Sequence, residues 1–394
     1  MGTRYYNVVS WPRIAISSAL ATAMTLGIAW GQQPNRRLEP QPLPLLPAEM
    51  AWTVTLDAPP AAAGAMDNAR VYIPQRNEQI TALDRQTGAV AWVRKIETAW
   101  PPVVGNDLVF LAASDEFHAL DAATGVTRWR MPLEQSLLAP LVFDTGWIIA
   151  LMERGDVVGL RATDGAEIWR HRLGNDAPRA APVAGETNVL YVSLDRGQIV
   201  ALSLTDGHEL WRQTVPGKLS APAWAPGRVF VGTTDNVFYA LNSKDGSIAW
   251  KWRSGGDVIG AAADDGLVVF ASLDNVIRGV NVSNGNQRWR KATGTRPVVP
   301  PRTFGRLALL AGTSPTLAGF AAKDGAPAGT YIAPGTLEGA PLIDPALRPY
   351  SVAAALILRD GQVLGLSPVA MLYREQPAVP LAALPGHALQ RETR

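Results

Sequence analysis

A tryptophan returns about every 40 residues along most of this chain, each time at the end of the same short phrase. The six copies are ALDRQTGAVAW, ALDAATGVTRW, GLRATDGAEIW, ALSLTDGHELW, ALNSKDGSIAW and GVNVSNGNQRW. They end on Trp92, Trp129, Trp169, Trp211, Trp250 and Trp289, spaced by 37, 40, 42, 39 and 39 residues. Self-similarity at this period, in units built of short strands, is the mark of small sheets arrayed around an axis, a β-propeller.

One unit shows why. After Trp92 come AWPPVV, a turn at Gly105-Asn106-Asp107, LVFLAA, a turn at Ser114-Asp115-Glu116, and FHALD. The turn at Ala123-Thr124-Gly125 then leads into the run that carries Trp129. These are four short segments rich in β-branched and aromatic residues, separated by Gly, Asp and Asn. The pairs Asp164-Gly165, Asp206-Gly207, Asp245-Gly246, Asn284-Gly285 and Asp324-Gly325 suit tight turns that need positive φ. Each unit therefore reads as a four-stranded antiparallel meander, too small to bury both of its faces unless neighbours pack against it.

A second register gives the count. About ten residues after each tryptophan lies a segment of small residues, usually with proline: WPPVV, LAPLV, AAPVA, SAPAW, GAAAD, VPPRT and GAPLI. Small side chains fit the innermost strand, where space is least. Proline is tolerated there because one edge of that strand faces the channel. Trp52 lies 40 residues before Trp92 and heads a unit whose innermost segment falls at 59–64. At the other end Asp324-Gly325 leads to Tyr331 in place of tryptophan, followed by GAPLI, SVAAALIL and GQVLGL. The expectation is an all-β chain with eight blades, the orphan strand at Trp52 supplying the outer strand of the last blade and closing the ring. Seven blades with irregular ends is the fallback.

The composition narrows the function. With 394 residues, 47% of them hydrophobic, the chain can bury a large core. Net charge is +2 with no basic block, which argues against nucleic-acid binding. The chain has no cysteine, so thiolate metal sites, cysteine nucleophiles and lipoprotein attachment through cysteine are excluded. Four scattered histidines, His118, His171, His208 and His387, read as surface residues. No catalytic triad or phosphate loop is visible.

Residues 1–31 read as an export signal: Arg4 and Arg13 precede an uncharged run at 14–30, and Ala29-Trp30-Gly31 offers small residues at a cleavage site. The run is short for a spanning helix and carries four hydroxyl residues, so a cleaved signal and an uncleaved anchor both fit. Residues 32–49 are a proline-rich linker, 50–373 the propeller and 374–394 a flexible tail. The protein is thus expected in the periplasm or elsewhere outside the cytoplasm, touching a membrane only through its N-terminal segment.

The phrase ALDxxTGxxxW resembles the repeat of the pyrroloquinoline-quinone (PQQ)-like propellers, over roughly residues 50–368. The resemblance implies that the tryptophans dock adjacent blades together, packing near a turn glycine. Trp92, Trp129, Trp169, Trp211, Trp250 and Trp289 would share that role with Gly88, Gly125, Gly165, Gly207, Gly246 and Gly285. Within the family, quinoprotein dehydrogenases bind PQQ and calcium, whereas non-enzymatic members include the BamB-like subunit of the outer-membrane β-barrel assembly machinery. Quinoprotein dehydrogenases carry insertions that build a cofactor pocket, and the even spacing here leaves no room for one. Acidic residues occur only at the trailing ends of the innermost segments (Asp144, Glu186, Asp264, Asp265, Asp344), where solvated turn carboxylates are the expectation rather than a calcium cluster. The cysteine pair that stacks on the quinone in many alcohol-oxidising members is absent.

The reading is therefore a non-enzymatic scaffold of the cell envelope, with no cofactor and no metal, binding another envelope protein such as a β-barrel assembly component. In the BamB-like branch, partner contacts come from segments joining an outer strand to the next innermost strand. Here those are 172–182 and 214–222, offering Asp176, Arg179 and Lys218. The turns ERGD (153–156), DRG (195–197), Asp235-Asn236, Asp274-Asn275 and RDG (359–361) form a second candidate surface, a ring of alternating charge. Two alternatives are a small PQQ-dependent dehydrogenase, with carboxylates converging in the channel, and a glycan- or peptide-binding propeller displaying Trp100, Trp147 and Trp224.

Overall fold

The computed structural model describes residues 45–369 apart from 175, 179, 186–187, 265, 305–306 and 345–350. The signal or anchor at 1–31, most of the linker, the tail, and the candidates Arg179, Glu186 and Asp265 lie outside the described residues.

The second strand of most units is an almost unbroken apolar run: LVFLA at Leu108–Ala112, WIIAL at Trp147–Leu151, LVVFAS at Leu267–Ser272. Such runs belong to strands covered on both faces. The outer strands read differently. In Val90–Lys95 only Trp92 is buried, and Glu167–Arg172 repeats the pattern with Trp169. These properties generate eight four-stranded antiparallel sheets, an eight-bladed β-propeller. Blade 1 runs from its innermost strand Ala65–Met66 through Arg70–Gln75 and Gln79–Asp84 to the outer strand Val90–Lys95. Blades 2 to 7 repeat this order. In blade 8 the innermost strand Leu342–Ile343, then Ala354–Ile357 and Gln362–Pro368, are joined by an outer strand from the other end of the chain, Ala48–Thr55. That strand pairs Thr53 with Leu364 and Val54 with Val363, closing the ring as the orphan tryptophan implied.

The innermost strands differ from expectation. In blade 1 the strand is Ala65–Met66, after the 59–64 segment. The prolines elsewhere likewise precede the innermost strands, as Pro140 precedes Val142–Asp144 and Pro222 precedes Ala223–Ala225. In most blades the prolines of the small-residue segments thus lie in the approach to the channel, where Pro60, Leu137, Pro178, Leu219, Pro297 and Leu337 each form a single bridge to the last residue of a second strand or the one after it, whereas in blade 6 the segment 260–264 lies within the strand Val258–Asp264. A proline there costs no ladder hydrogen bond.

Each tryptophan reaches forward one blade. Trp92 Nε1 donates to the carbonyl of Ala122 at 3.0 Å, and its indole lies so close over Gly125 that a Cβ on that glycine would stand 2.7 Å from the ring. Trp129, Trp169, Trp211 and Trp250 lie in the same way over Gly165, Gly207, Gly246 and Gly285, and Trp289 over Gly325. Their indoles donate to Ala162, Leu204, Ser243, Val282 and Ala322. Trp52 in the closing strand covers Gly88 and donates to Arg85 at 2.9 Å. The turn glycines adopt φ between 67° and 76°, so both backbone conformation and ring contact require glycine.

Blade 7 departs from this scheme, and in a different way from that expected. Gly329, not Tyr331, occupies the tryptophan register, four residues after Gly325 as Trp289 is four after Gly285. The cause is topological. In blade 8 no turn joins the third strand to the outer strand, because the chain enters and leaves there, so no turn glycine exists to receive an indole. Leu46 fills the space instead: a Cβ on Gly319 would stand 2.8 Å from its Cδ1, and one on Gly329 would stand 3.0 Å from its Cβ. Leu45 and Leu46 are fully buried against Leu317, Leu356 and Leu364, so the folded unit starts earlier than residue 50. Leu46→Ala should lower unfolding free energy by about 2–5 kcal/mol, the range for truncating a buried leucine. Urea denaturation followed by tryptophan fluorescence measures it, with Val90→Ala at an exposed position as the control.

Candidate functional site

The candidate surface is built where outer-strand linkers meet the turns between second and third strands. Hydrogen bonds stitch the two together around the ring. Leu173 N donates to Gly155 O in the turn of blade 3, and Asp195 N in the turn of blade 4 donates to Ala177 O of the same linker. Val215 N to Gly197 O and Thr234 N to Lys218 O repeat the arrangement between blades 4 and 5. Linkers and turns thus form one continuous, backbone-braced belt on one face of the disc.

The belt sorts the candidate residues. Lys218 is exposed, its backbone amide held by Thr234 Oγ1 at 3.0 Å. Asp176 is buried: its carboxylate accepts from the Arg196 amide at 3.3 Å, fixing the neighbouring turn instead of facing a partner. The ring of alternating charge is also broken. Asp156 is buried, accepting from Gln135 at 3.0 Å with Arg170 at 3.5 Å. Asp274 is committed to Arg278 at 2.5 Å. Burial opposes its ionisation, but Arg278, Ser272 and the Gly255 amide outweigh it and hold the carboxyl below its ordinary value. Exposed on the belt in blades 3 to 5 are Glu153, Arg154, Asp195, Arg196, Lys218 and Asp235. Arg154 and Arg196 stand in turn sequences already singled out, and their side chains point outward because the turn backbones are occupied by the linkers.

Calcium beside PQQ would need several oxygen ligands converging on one point. Among the described residues, no group of three or more His, Asp or Glu is placed to hold a metal ion. Asp144 is partly buried and accepts from Thr145. Asp344, expected to be solvated, is 2% exposed and pairs with Arg85 at 2.6 Å. A recess of about 450 Å³ opens beside this pair, on the face opposite the belt, lined in part by Asp67, Asp107 and Asp121. Asp67 is bonded to the Ala69 and Arg70 amides and the Tyr72 hydroxyl, and Asp121 to Thr124 and Arg128. Bonding to Arg128 and Thr124 lowers the Asp121 carboxyl to about 2. The carboxylates of Asp67 and Asp121 thus brace turns.

Arg85 is the functional-looking residue that the repeat reading passed over. Its guanidinium joins blade 1 to the innermost end of blade 8, 259 residues away, while its carbonyl receives Trp52 of the closing strand. The signal was present in the alignment: Arg85 stands where the other copies have Ala122, Ala162, Leu204, Ser243, Val282 and Ala322. The one charged residue in that register lies at the one seam between chain ends. Removing a single partner from a buried pair should cost about 3–5 kcal/mol, so Arg85→Ala should destabilise strongly. The double variant Arg85→Met/Asp344→Leu should recover most of the loss, as read by thermal unfolding.

The remaining aromatics do not make an exposed platform. Trp100, Trp147 and Trp224 pack against three different core clusters. His118 is not a surface residue either: its side chain is 14% exposed, and burial holds the imidazole below its usual pKa.

Comparison with known proteins places this arrangement. A family model described as "Outer membrane protein assembly factor BamB" matches residues 76–155, 153–257 and 222–364. Two curated proteins carry that same name: one from Burkholderia pseudomallei, 24% identical over 41% of this chain and 44% of its own length, and one from Nitrosomonas eutropha, 27% identical over 32% of each. The aligned regions thus span less than half of these curated relatives. Among solved structures, BamB from Moraxella catarrhalis superimposes with a TM-score of 0.65 at 16% identity, covering 81% of this chain and 99% of that one. Quinohemoprotein alcohol dehydrogenase ADHIIG from Pseudomonas putida gives 0.63 at 14% identity, covering 81% and 76%. These two structural likenesses speak to the fold alone. With the family model matched along most of the propeller, the chain belongs to the family of outer membrane protein assembly factor BamB.

Proposed function

We propose that this protein is a non-enzymatic scaffold outside the cytoplasm that assists outer-membrane protein assembly by offering the belt of blades 3 to 5 to a protein of the assembly apparatus. The observation that carries the reading is the belt itself, a surface fixed by backbone hydrogen bonds with outward Arg154, Arg196 and Lys218. Family membership supplies the process. A preformed surface limits the ordering cost of association, and charges at its rim set encounter and orientation more than total affinity. The bonding of Asp67 and Asp121 within their turns and of Asp344 to Arg85 supports the non-enzymatic reading over the dehydrogenase alternative.

The test is capture of envelope proteins by the full chain, followed by affinity measurement with the purified assembly component recovered. The triple variant Arg154→Glu/Arg196→Glu/Lys218→Glu should weaken binding by at least about tenfold, in line with like-charge juxtaposition at an interface. Lys323→Glu, on the opposite face, should leave it unchanged. Equal binding by both variants would move the site off the belt. Recovery of partners that include no assembly component would sink the proposed role.

A further inference from the structure

The outer strand of every blade is a sheet edge, and exposed edges are guarded in most proteins by charge, proline or cover. Blades 1 to 6 use charge. Their outer strands read VAWVRK, TRWRMP, EIWRHR, ELWRQT, IAWKWR and QRWRKA, each with at least one Arg or Lys. The closing strand of blade 8 carries Glu49. The outer strand of blade 7, Pro327–Ile332, reads PAGTYI and carries no charge. Pro327 guards only its first position. Beyond it Thr330 is exposed, and Ile332 is 71% exposed.

Beside this edge the groove between blades 6 and 7 is open. At the equivalent place between blades 2 and 3, Arg170 and Glu167 pair at 2.6 Å against Val158 and Leu160, leaving a cavity of about 120 Å³. In blade 7 Thr330 stands in the register of Arg170 and Pro327 in that of Glu167, as their pairing with Ala318 and Phe320 shows. In blade 6 the register of Ala318 is held by the buried Arg278, which stacks on Trp252 at 5.2 Å and pairs with Asp274. With all three fillers replaced, the blade 7 cavity reaches about 520 Å³, and no charged residue lines it.

We propose that the outer edge of blade 7 is a strand-addition site: an extended, uncharged peptide segment of a partner protein pairs with the backbone of 328–332 as a fifth strand. Its apolar side chains on the blade 6 side then lie at the mouth of the groove over Ala318 and Phe320. The neutrality of the site selects the occupant. Main-chain pairing supplies the contact and an uncharged pocket, floored by Ala318, Phe320 and Pro327 among threonines, the selection, whereas a charged side chain entering this groove would find no counter-ion and would lose hydration. This site lies on the outer edge of blade 7, away from the belt residues of blades 3 to 5, with the 293–295 linker and Ser314 at one end of its groove.

The probe is a capped seven-residue peptide of alternating threonine and valine with leucine at its centre, added to the full-length protein. Binding is followed by fluorescence anisotropy of a labelled copy and by hydrogen exchange. Protection of amides within 328–332, together with a loss of affinity of at least about tenfold in Thr330→Arg, supports the proposal, since that change restores the guard used by other blades. Arg at this register is already accommodated in blades 2, 3, 4 and 6, and Ile332→Lys at an exposed position provides a second guard should Thr330→Arg fold poorly. A peptide with lysine at its centre should bind more weakly than the leucine peptide. Binding without protection at 328–332, or binding unaffected by both guards, overturns the proposal. Self-association through the same edge that the peptide does not displace also overturns it, making a second copy of the chain the occupant.

Discussion

Everything in this molecule depends on one contact, an indole laid over a turn glycine of the next blade. A four-stranded sheet of such short strands cannot bury two apolar faces by itself. The packing between blades supplies the buried area, but apolar contact alone does not fix how far one sheet slides over the next. The Nε1 bond to a carbonyl in the adjoining turn does, because a buried indole donor left unpaired is costly. Seven such contacts, from Trp52 to Trp289, set blade spacing around the ring. They also explain why variation collects elsewhere. The face of turns that receives the tryptophans is committed to folding, whereas the opposite belt is braced by backbone and exposes Arg154, Arg196 and Lys218.

The seam follows from the same rule. A ring built from one chain must have a place where its ends meet, and there the turn that would receive a tryptophan is missing. The molecule meets that loss in three ways: Leu46 covers Gly319 and Gly329, the outer strand Ala48–Thr55 pairs across the whole chain, and Arg85 ties blade 1 to Asp344. Blade 7 also lacks the arginine that follows the tryptophan in blades 2, 3, 4 and 6. An uncharged edge and an open groove are side effects of closure that evolution could put to use.

The repeat phrase made the fold legible before any coordinates: period, turn glycines, blade count and the role of the Trp52 strand all follow from spacing. Spacing failed where register, not residue type, decides. Tyr331 was a plausible substitute for tryptophan by chemistry, yet it lies two residues past the position that faces the next blade. The small-residue segments suit the channel strands because space is least there, yet in most blades their prolines lie in the approach, and in blade 6 the segment 260–264 lies within the strand. The site was less readable still. Asp176 and Asp156 look like surface charges in a linear sequence, and only the three-dimensional stitching of linker to turn turns them inward. The exposed residues of the belt differ from blade to blade, so no periodic signal marks them, while Arg85 was marked by being the exception in its register.

Function in this fold therefore lies in departures from the repeat rather than in the repeat. That view requires the closed ring to be one cooperative body whose outer surfaces are held rigid, with the closing strand as firmly part of it as any central blade. Native-state hydrogen exchange of the full chain tests this most directly. Amides that pair Thr53 and Val54 with Leu364 and Val363 should open with the same free energy as those between Val192 and Val200 in blade 4. Exchange of the closing strand at much lower free energy, with blade 4 still protected, would show that the ring opens at its seam and would contradict the account.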